Sequence, residues 1–364
     1  MKKRLLTIVL VLALVSGLAL TTAACSKGEL TVTFDANKPA AATAAVSDLP
    51  ELITGVKKNA TIAEPVVKPT LTGYDFGGWY KETGCATAWT FATDKVTKSM
   101  TLYAKWTAKP PALAAPTELA IASADIEGDN VYTLSWKGVS NASGYTVSVG
   151  TQTHQTTGVS LDLTALNLDA GVYDIKVLAK GDGTNYSNSG YSAVVRHYQG
   201  TEGLAFFHNQ FYPDTWIVNR GSADLDGNTV VVASQYKGEA VAVSGNGLGG
   251  QYQTLAATTV AGAILPEGMT MIGMVSFAQC TSLTEIVVPS TVTEIGMGAF
   301  NGCTALAKVY YGGANSTAWG QITIGTSNAP LSAGTVTLYY YSETAPAGAG
   351  NFWHWVNGVP TAWA

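Results

Sequence analysis

The sequence predicts a mainly β, multidomain chain, and three observations carry that expectation. Charged residues make up 12% of the 364, while glycine occurs 39 times, against about 25% and about 7% in ordinary domains. Polar and apolar residues alternate with period two in stretches separated by Gly-, Pro- and Asn-rich turns, the pattern of strands. A block near the C-terminus repeats itself at a fixed offset, the mark of a stacked architecture. Length allows two or three domains. Low charge with abundant Gly, Thr, Val and Tyr suits short strands and tight turns, and fits neither a disordered chain nor a coiled coil.

The N-terminus reads as an export signal over residues 1–24. Lys2-Lys3-Arg4 is followed by an apolar run from Leu5 to Leu20, then by small residues up to Ala24. Residues 25–29 would be the mature N-terminus and a short linker. Cysteine after two alanines resembles the bacterial lipobox, and the resemblance implies acylation of Cys25. Acyl chains bury methylenes at ~0.8 kcal/mol each, so the chain is expected on the cell-envelope membrane, at its outer surface. Plain secretion and an uncleaved anchor are the alternatives. The net charge is −5; taking the leader's three cations from the 20 basic groups, against 25 acidic ones, leaves −8. Arg196 and Arg220 are then the remaining arginines. A nucleic-acid binder needs clustered Lys and Arg, so no nucleic-acid partner is expected. Few histidines and arginines argue against a metabolic enzyme.

Residues 30–107 begin and end in alternating segments, Leu30 to Phe34 and Thr101 to Trp106, around Pro65, Pro69, Gly73 and Gly77-Gly78. Thr31 to Asp35, Pro69 to Tyr80 through Gly78-Trp79, Phe91, and Thr101 to Trp106 resemble the Listeria–Bacteroides, or internalin B-type, repeat. The resemblance implies a small β-grasp-like module found on bacterial surfaces. Trp79, Trp89 and Trp106 are expected as core anchors rather than a ligand platform. The Pro- and Ala-rich residues 108–116 read as a semi-stiff linker.

Residues 117–198 hold three clear strands, Val131–Trp136, Gly144–Val149 and Val172–Ala179, spaced as in a β-sandwich. Trp136, Tyr145 and the corner-like Leu168–Tyr173 spacing resemble a fibronectin type III domain.

The repeat lies between residues 263 and 310. Leu265-Pro266 recurs as Val288-Pro289, 23 residues on. Ile272-Gly273-Met274 recurs as Ile295-Gly296-Met297, and Phe277, Cys280, Thr281 and Leu283 fall on Phe300, Cys303, Thr304 and Leu306. Identical large apolar residues at one offset present the same face to each neighbour, so the units stack as a solenoid. The pattern resembles BspA-like, Treponema-type leucine-rich repeats over residues 263–345. Val241, Gly245 and Gly247 sit 51 residues before Val292, Gly296 and Gly298, so residues 199–262 are expected to hold an eroded rung or cap. Residues 346–364, dense in aromatics, should close the solenoid's end with a turn at Asn357-Gly358; stacking on sugar rings is the alternative.

No constellation carries chemistry. Cys280 and Cys303 are equivalent repeat positions, expected as stacked buried thiols, with a rung-to-rung disulfide as the alternative. Gly245, Gly247 and Gly250 make a GxGxxG without the acid a dinucleotide site needs, and read as a loop. Asp224-Leu-Asp226-Gly227 reads as a hairpin turn rather than a calcium loop. Lys180-Gly181-Asp182 falls on the loop that displays Arg-Gly-Asp in some fibronectin type III relatives; a plain turn is the simpler reading. His154, His197, His208 and His354 have no triad partner. No cofactor, no metal and no enzyme activity are expected. The family resemblance implies adhesion to host matrix or bacterial surface proteins. The candidate binding face is Glu285, Val287, Glu294 and Lys308 on the solenoid, with cell-surface glycan binding or a passive spacer and antigen as alternatives.

Overall fold

The computed structural model describes residues 29–209, 212–223, 225, 227–245 and 259–364. The expected leader, Cys25, Asp224, Asp226 and Asn246 to Gly250 lie outside them. The chain divides into two compact units, Met1–Lys109 and Pro110–Ala364.

The first unit is a four-stranded sheet of β1 (Glu29–Asp35), β2 (Ile53–Lys57), β3 (Tyr74–Tyr80) and β4 (Met100–Ala108), ordered β2-β1-β4-β3. The two central strands run parallel, and each edge strand is antiparallel to its neighbour. Alternation puts Val32, Phe34, Leu102 and Ala104 on one face. That face packs on Trp79 and on the loop residues Ile62, Trp89 and Val96. Phe34 meets Trp79 edge-on at 4.7 Å. Trp106 is half-buried, its indole N–H donating to the Ala36 carbonyl at 2.7 Å. Gly77-Gly78 marks a register shift between Phe76 and Trp79, with Gly78 at φ +98°. A side chain there would oppose the bulge that turns Trp79 inward.

The second unit begins with a sandwich. One sheet, β5 (Ala120–Ile126), β6 (Asp129–Ser135) and β9 (Ser160–Asp162), faces another of β7 (Gly144–Val149), β8 (Gln152–Thr156), β10 (Gly171–Lys180) and β11 (Val195–Gln199). Their orders are β5-β6-β9 and β11-β10-β7-β8. Leu134, Trp136, Tyr145, Val147, Ile175 and Val177 fill the space between them. The Tyr173 hydroxyl donates to the Asp169 carbonyl at 2.9 Å, the corner that the Leu168–Tyr173 spacing suggested. The expected spacer is partly tied down. Leu113 is buried in the sandwich core, and its N–H donates to the Ser187 carbonyl at 3.1 Å.

The solenoid follows. Its first sheet contains β12 (Ala205–Asn209), β13 (Tyr212–Asn219), β16 (Glu239–Ser244), β18 (Met271–Ile272), β20 (Glu294–Ile295) and β22 (Thr323–Ile324), with β15 (Gln235–Tyr236) paired to β16. Its second sheet runs β14 (Thr229–Val231), β17 (Gly262–Ile264), β19 (Glu285–Val288), β21 (Lys308–Tyr311), β23 (Thr337–Tyr341), β24 (Phe352–Val356) and β25 (Val359–Ala362). All neighbours from β14 to β24 in that order are parallel. Between the sheets, Phe277 and Phe300 stack at 5.4 Å with planes 3° apart. Cys280 and Cys303 are buried and neither forms a disulfide. The Cys303 thiol donates to the Phe277 carbonyl at 3.0 Å, and burial pushes it up to about 12.

Glycine recurs after each Ile because the backbones nearly touch there. The N–H groups of Gly273, Gly296 and Gly325 each donate at 2.7 Å to the preceding rung, at Ser244, Ile272 and Ile295. A Cβ on Gly273 would lie 1.2 Å from the Gly245 carbonyl oxygen, and one on Gly296 would lie 2.6 Å from the Met274 nitrogen. The eroded rung is in register: Ser244 pairs with Ile272, which pairs with Ile295. At the far end β24 and β25 form a hairpin through Asn357 (φ 50°) and Gly358 (φ +79°).

Candidate binding cleft

Each strand of the second sheet has an inward and an outward row. Val230, Ala263, Ile286 and Val309 point into the solenoid. The outward row, Val231, Ile264, Val287 and Tyr310 in adjacent register, is equally apolar. It packs against Val172 and Tyr198 of the sandwich and Trp353 of the terminal hairpin. Sandwich and solenoid thus share one apolar seam. Trp353 is 1% exposed and its indole N–H donates to the Tyr311 carbonyl at 2.7 Å.

Polar contacts hold the seam at both ends. Arg196 donates to the Asp174 carboxylate at 2.8 Å and to the Tyr341 hydroxyl at 3.2 Å, and lies over the Tyr341 and Trp355 rings. Opposite, the Tyr132 hydroxyl donates to the Gln235 carbonyl at 2.7 Å, and Lys237 N–H to the Asn130 side-chain oxygen at 2.7 Å. Burial pushes both Tyr132 and Tyr198 up to about 12. His197, beside Tyr132 at 4.8 Å, is 1% exposed, and burial holds it below the usual imidazole range.

Where the sandwich leaves the sheet, a cleft of about 320 Å³ opens. Its floor is Val231, Ile264, Val287 and Tyr310. One wall is Ala170 to Tyr173 and the other is the hairpin turn Asn357 to Pro360. The next outward row, Thr229, Gly262, Glu285 and Lys308, runs along its mouth. Gly262 has no side chain, and the Thr229 side chain takes the space there, its hydroxyl 2.8 Å from where a Cβ would lie. Among the described residues lining the cleft, Glu285 is the one charged group. Tyr310 and the Glu285 carboxylate, which its ammonium approaches at 3.6 Å, push Lys308 above the usual lysine range.

The four residues expected on one binding face do not share one. Glu285, Val287 and Lys308 are on the second sheet and Glu294 is on the first, because the turn after Pro289 carries the chain across the rung. Val287 is 3% exposed and serves as floor. Lys180 ends β10, and Gly181-Asp182 open the loop that follows. The Asp182 carboxylate accepts from the backbone N–H groups of Thr184, Asn185 and Tyr186 and from the Asn185 side chain, which holds it far below the usual carboxylate range. Gly181 has the Tyr186 carbonyl 2.1 Å from where a Cβ would be. In the aromatic tail Trp353 is buried, and Trp363 stacks on His354 at 3.7 Å. No cluster of His, Cys, Asp and Glu suited to a metal ion occurs among the described residues.

Two family models match the chain. The Listeria-Bacteroides repeat domain matches residues 31–105, and the BspA type leucine rich repeat region (6 copies) matches residues 253–321. The chain therefore carries a Listeria–Bacteroides repeat and BspA-type leucine-rich repeats. Two Evansella cellulosilytica proteins named as membrane proteins, the first as Gly-rich, are similar over 47 residues at 49% and 45% identity. The match is 13% of this chain and only 5% and 7% of theirs. The crystal structure of the T. pallidum leucine rich repeat protein (TpLRR) aligns at 19% identity with a TM-score of 0.30, over 40% of this chain and 71% of that one. Both matched repeat classes are non-catalytic. BspA-type repeats are typical of cell surfaces, and leucine-rich repeats generally mediate protein binding.

Proposed function

We propose that this chain is a non-enzymatic cell-surface lipoprotein that binds host matrix or bacterial surface proteins through its solenoid. In this reading residues 1–24 direct export and an acylated Cys25 holds the chain on the envelope membrane. Residues 117–198 are a fibronectin type III domain; the strand orders β5-β6-β9 and β11-β10-β7-β8 and the Tyr173 corner support that assignment. The observation that carries the binding role is the cleft over the solenoid's second sheet, an apolar floor with the Glu285–Lys308 ion pair at its mouth. Concave, mostly apolar sites with few polar groups are where ligands are held. The aromatic tail supports glycan binding less well, because its tryptophans are spent on packing.

Protease shaving of intact cells, followed with an antibody to residues 263–345, tests display. The signal should vanish while an internal control survives, and Cys25→Ala should move the protein into the medium. A signal protected until lysis would place the protein inside the envelope and end the adhesion reading.

A further inference from the structure

Charge is not shared evenly between the two compact units. Residues 29–109 carry nine lysines against eight carboxylates, a balance of +1, while residues 110–364 carry seven basic groups against seventeen acidic ones, a balance of −10. Such asymmetry suits a chain held against an anionic surface. Within the first unit the lysines fall into two sets. Lys68, Lys81 and Lys109 pair with Glu64, Asp94 and Asp75, and Lys105 lies over the Tyr80 ring. Lys57, Lys58, Lys95 and Lys98 are all exposed, and none of them is ion-paired among the described residues.

Topology brings these four to one end of the sheet. Glu29, where β1 begins, is in register with Lys57 at the end of β2, and Lys58 follows. The segment before β4 lies beside both strands. Asn59 N–H donates to the Val96 carbonyl at 2.8 Å, Val96 N–H to the Ala60 carbonyl at 2.9 Å, and Thr31 N–H to the Ser99 hydroxyl at 3.0 Å. Val96 is buried in the core, so Lys95 and Lys98 on either side of it are held at this end. The acids nearby are Glu29 and Asp94, and Asp94 is engaged by Lys81 and by the Thr90 N–H. The chain also enters the unit at this end, four residues after Cys25, a span of about 14 Å at full extension.

Resting on the lipoprotein reading above, we infer that this lysine-bearing end of the first unit faces and binds an anionic phospholipid surface. An acylated Cys25 keeps the cations near the headgroups, where the attraction is strongest and beyond which it dies away within a Debye length. The second unit, at −10, is repelled by the same surface, which keeps the solenoid free for a partner.

Sedimentation with vesicles tests this. The mature chain, residues 26–364, is made without its leader and so carries no lipid. Despite its net −8, it should bind vesicles holding about 25% phosphatidylglycerol at least about tenfold better than vesicles of phosphatidylcholine alone, at about 50 mM salt, and lose that preference near about 500 mM. Lys57→Gln, Lys58→Gln, Lys95→Gln and Lys98→Gln together should abolish the preference. The four side chains are exposed, so this variant should melt with the parent. Lys38→Gln, Lys137→Gln, Lys176→Gln and Lys180→Gln remove the same charge elsewhere and should leave the preference within about threefold. No preference for the anionic vesicles, or one that survives the first four changes, overturns the inference. So does retention on polyphosphate beads without a vesicle preference, which would assign the lysines to a soluble anionic polymer. The vesicle arms hold or fail whatever the mass of the native chain shows at Cys25; an unacylated Cys25 there fails the lipoprotein reading alone.

Discussion

The two sheets of the solenoid are built from the same repeat yet end in opposite surfaces. On the second sheet the outward row is Val231, Ile264, Val287 and Tyr310, covered by Val172, Tyr198 and Trp353. On the first, the outward row includes Glu294 and Thr323, both exposed. The inward rows scarcely differ, since both must fill the same core around Phe277 and Phe300. The outward row thus reports what lies beyond the solenoid, and the inward row reports only the repeat. A surface position in a repeat is free to follow its neighbour, whereas a core position must follow the rung above it.

Charge placed on each sheet probes this most directly. Val287→Asp should cost about 4 kcal/mol or more in urea unfolding, because an unpaired carboxylate would be buried under the sandwich. A cost below about 1 kcal/mol would mean that the cover separates readily and the seam is loose.

Next in size is Gly358→Ala. Gly358 has φ +79°, and a Cβ would lie 1.9 Å from the Val172 carbonyl oxygen. Strain and displacement together should cost about 2–3 kcal/mol, seen as a lower melting temperature. If the variant melts like the parent, the hairpin does not bear on the sandwich.

The cover should also titrate. His197 is buried and its affinity for a proton is lowered from the ordinary 6.5, chiefly by burial. The unfolded chain therefore takes up a proton that the folded chain resists. This contribution is fully present above about pH 6.5 and is lost as the pH falls below it. Melting temperature should decline on acidification through that window, and His197→Phe should flatten the decline. Smallest is Glu294→Lys on the open sheet, expected within about 0.5 kcal/mol of the parent. A larger loss would mean that the first sheet, too, carries a partner within the chain.

Much of this could be read in the sequence, for physical reasons that differ by residue. The 23-residue offset located the rungs because Phe277 and Phe300 must stack, and the Ile-Gly pairs were visible because backbones close to contact admit only glycine. Tyr173 could be placed because a corner needs a fixed local spacing. The cover left no local trace, since Val172 and Tyr198 meet Val231, Ile264 and Val287 across large sequence separations. One signal was present: Val230-Val231-Val232, Ala263-Ile264-Leu265 and Ile286-Val287-Val288 do not alternate, as strands buried on both faces do not. Glu285 and Glu294 looked like neighbours because the turn between them, which changes sheets, carries no charge of its own.

The contact between Gly358 and Val172 also sets a limit on duplication. Leucine-rich arrays can grow by inserting whole copies, each adding a strand and moving the far end ~4.8 Å along the stack. Here the terminal hairpin abuts a sandwich that is itself fixed to the first rungs through Tyr132, Asn130 and Gln235. One extra 23-residue copy would carry Gly358 past its seat against the Val172 carbonyl. The sandwich therefore acts as a gauge, and copy number in this chain can change only together with the domain that measures it.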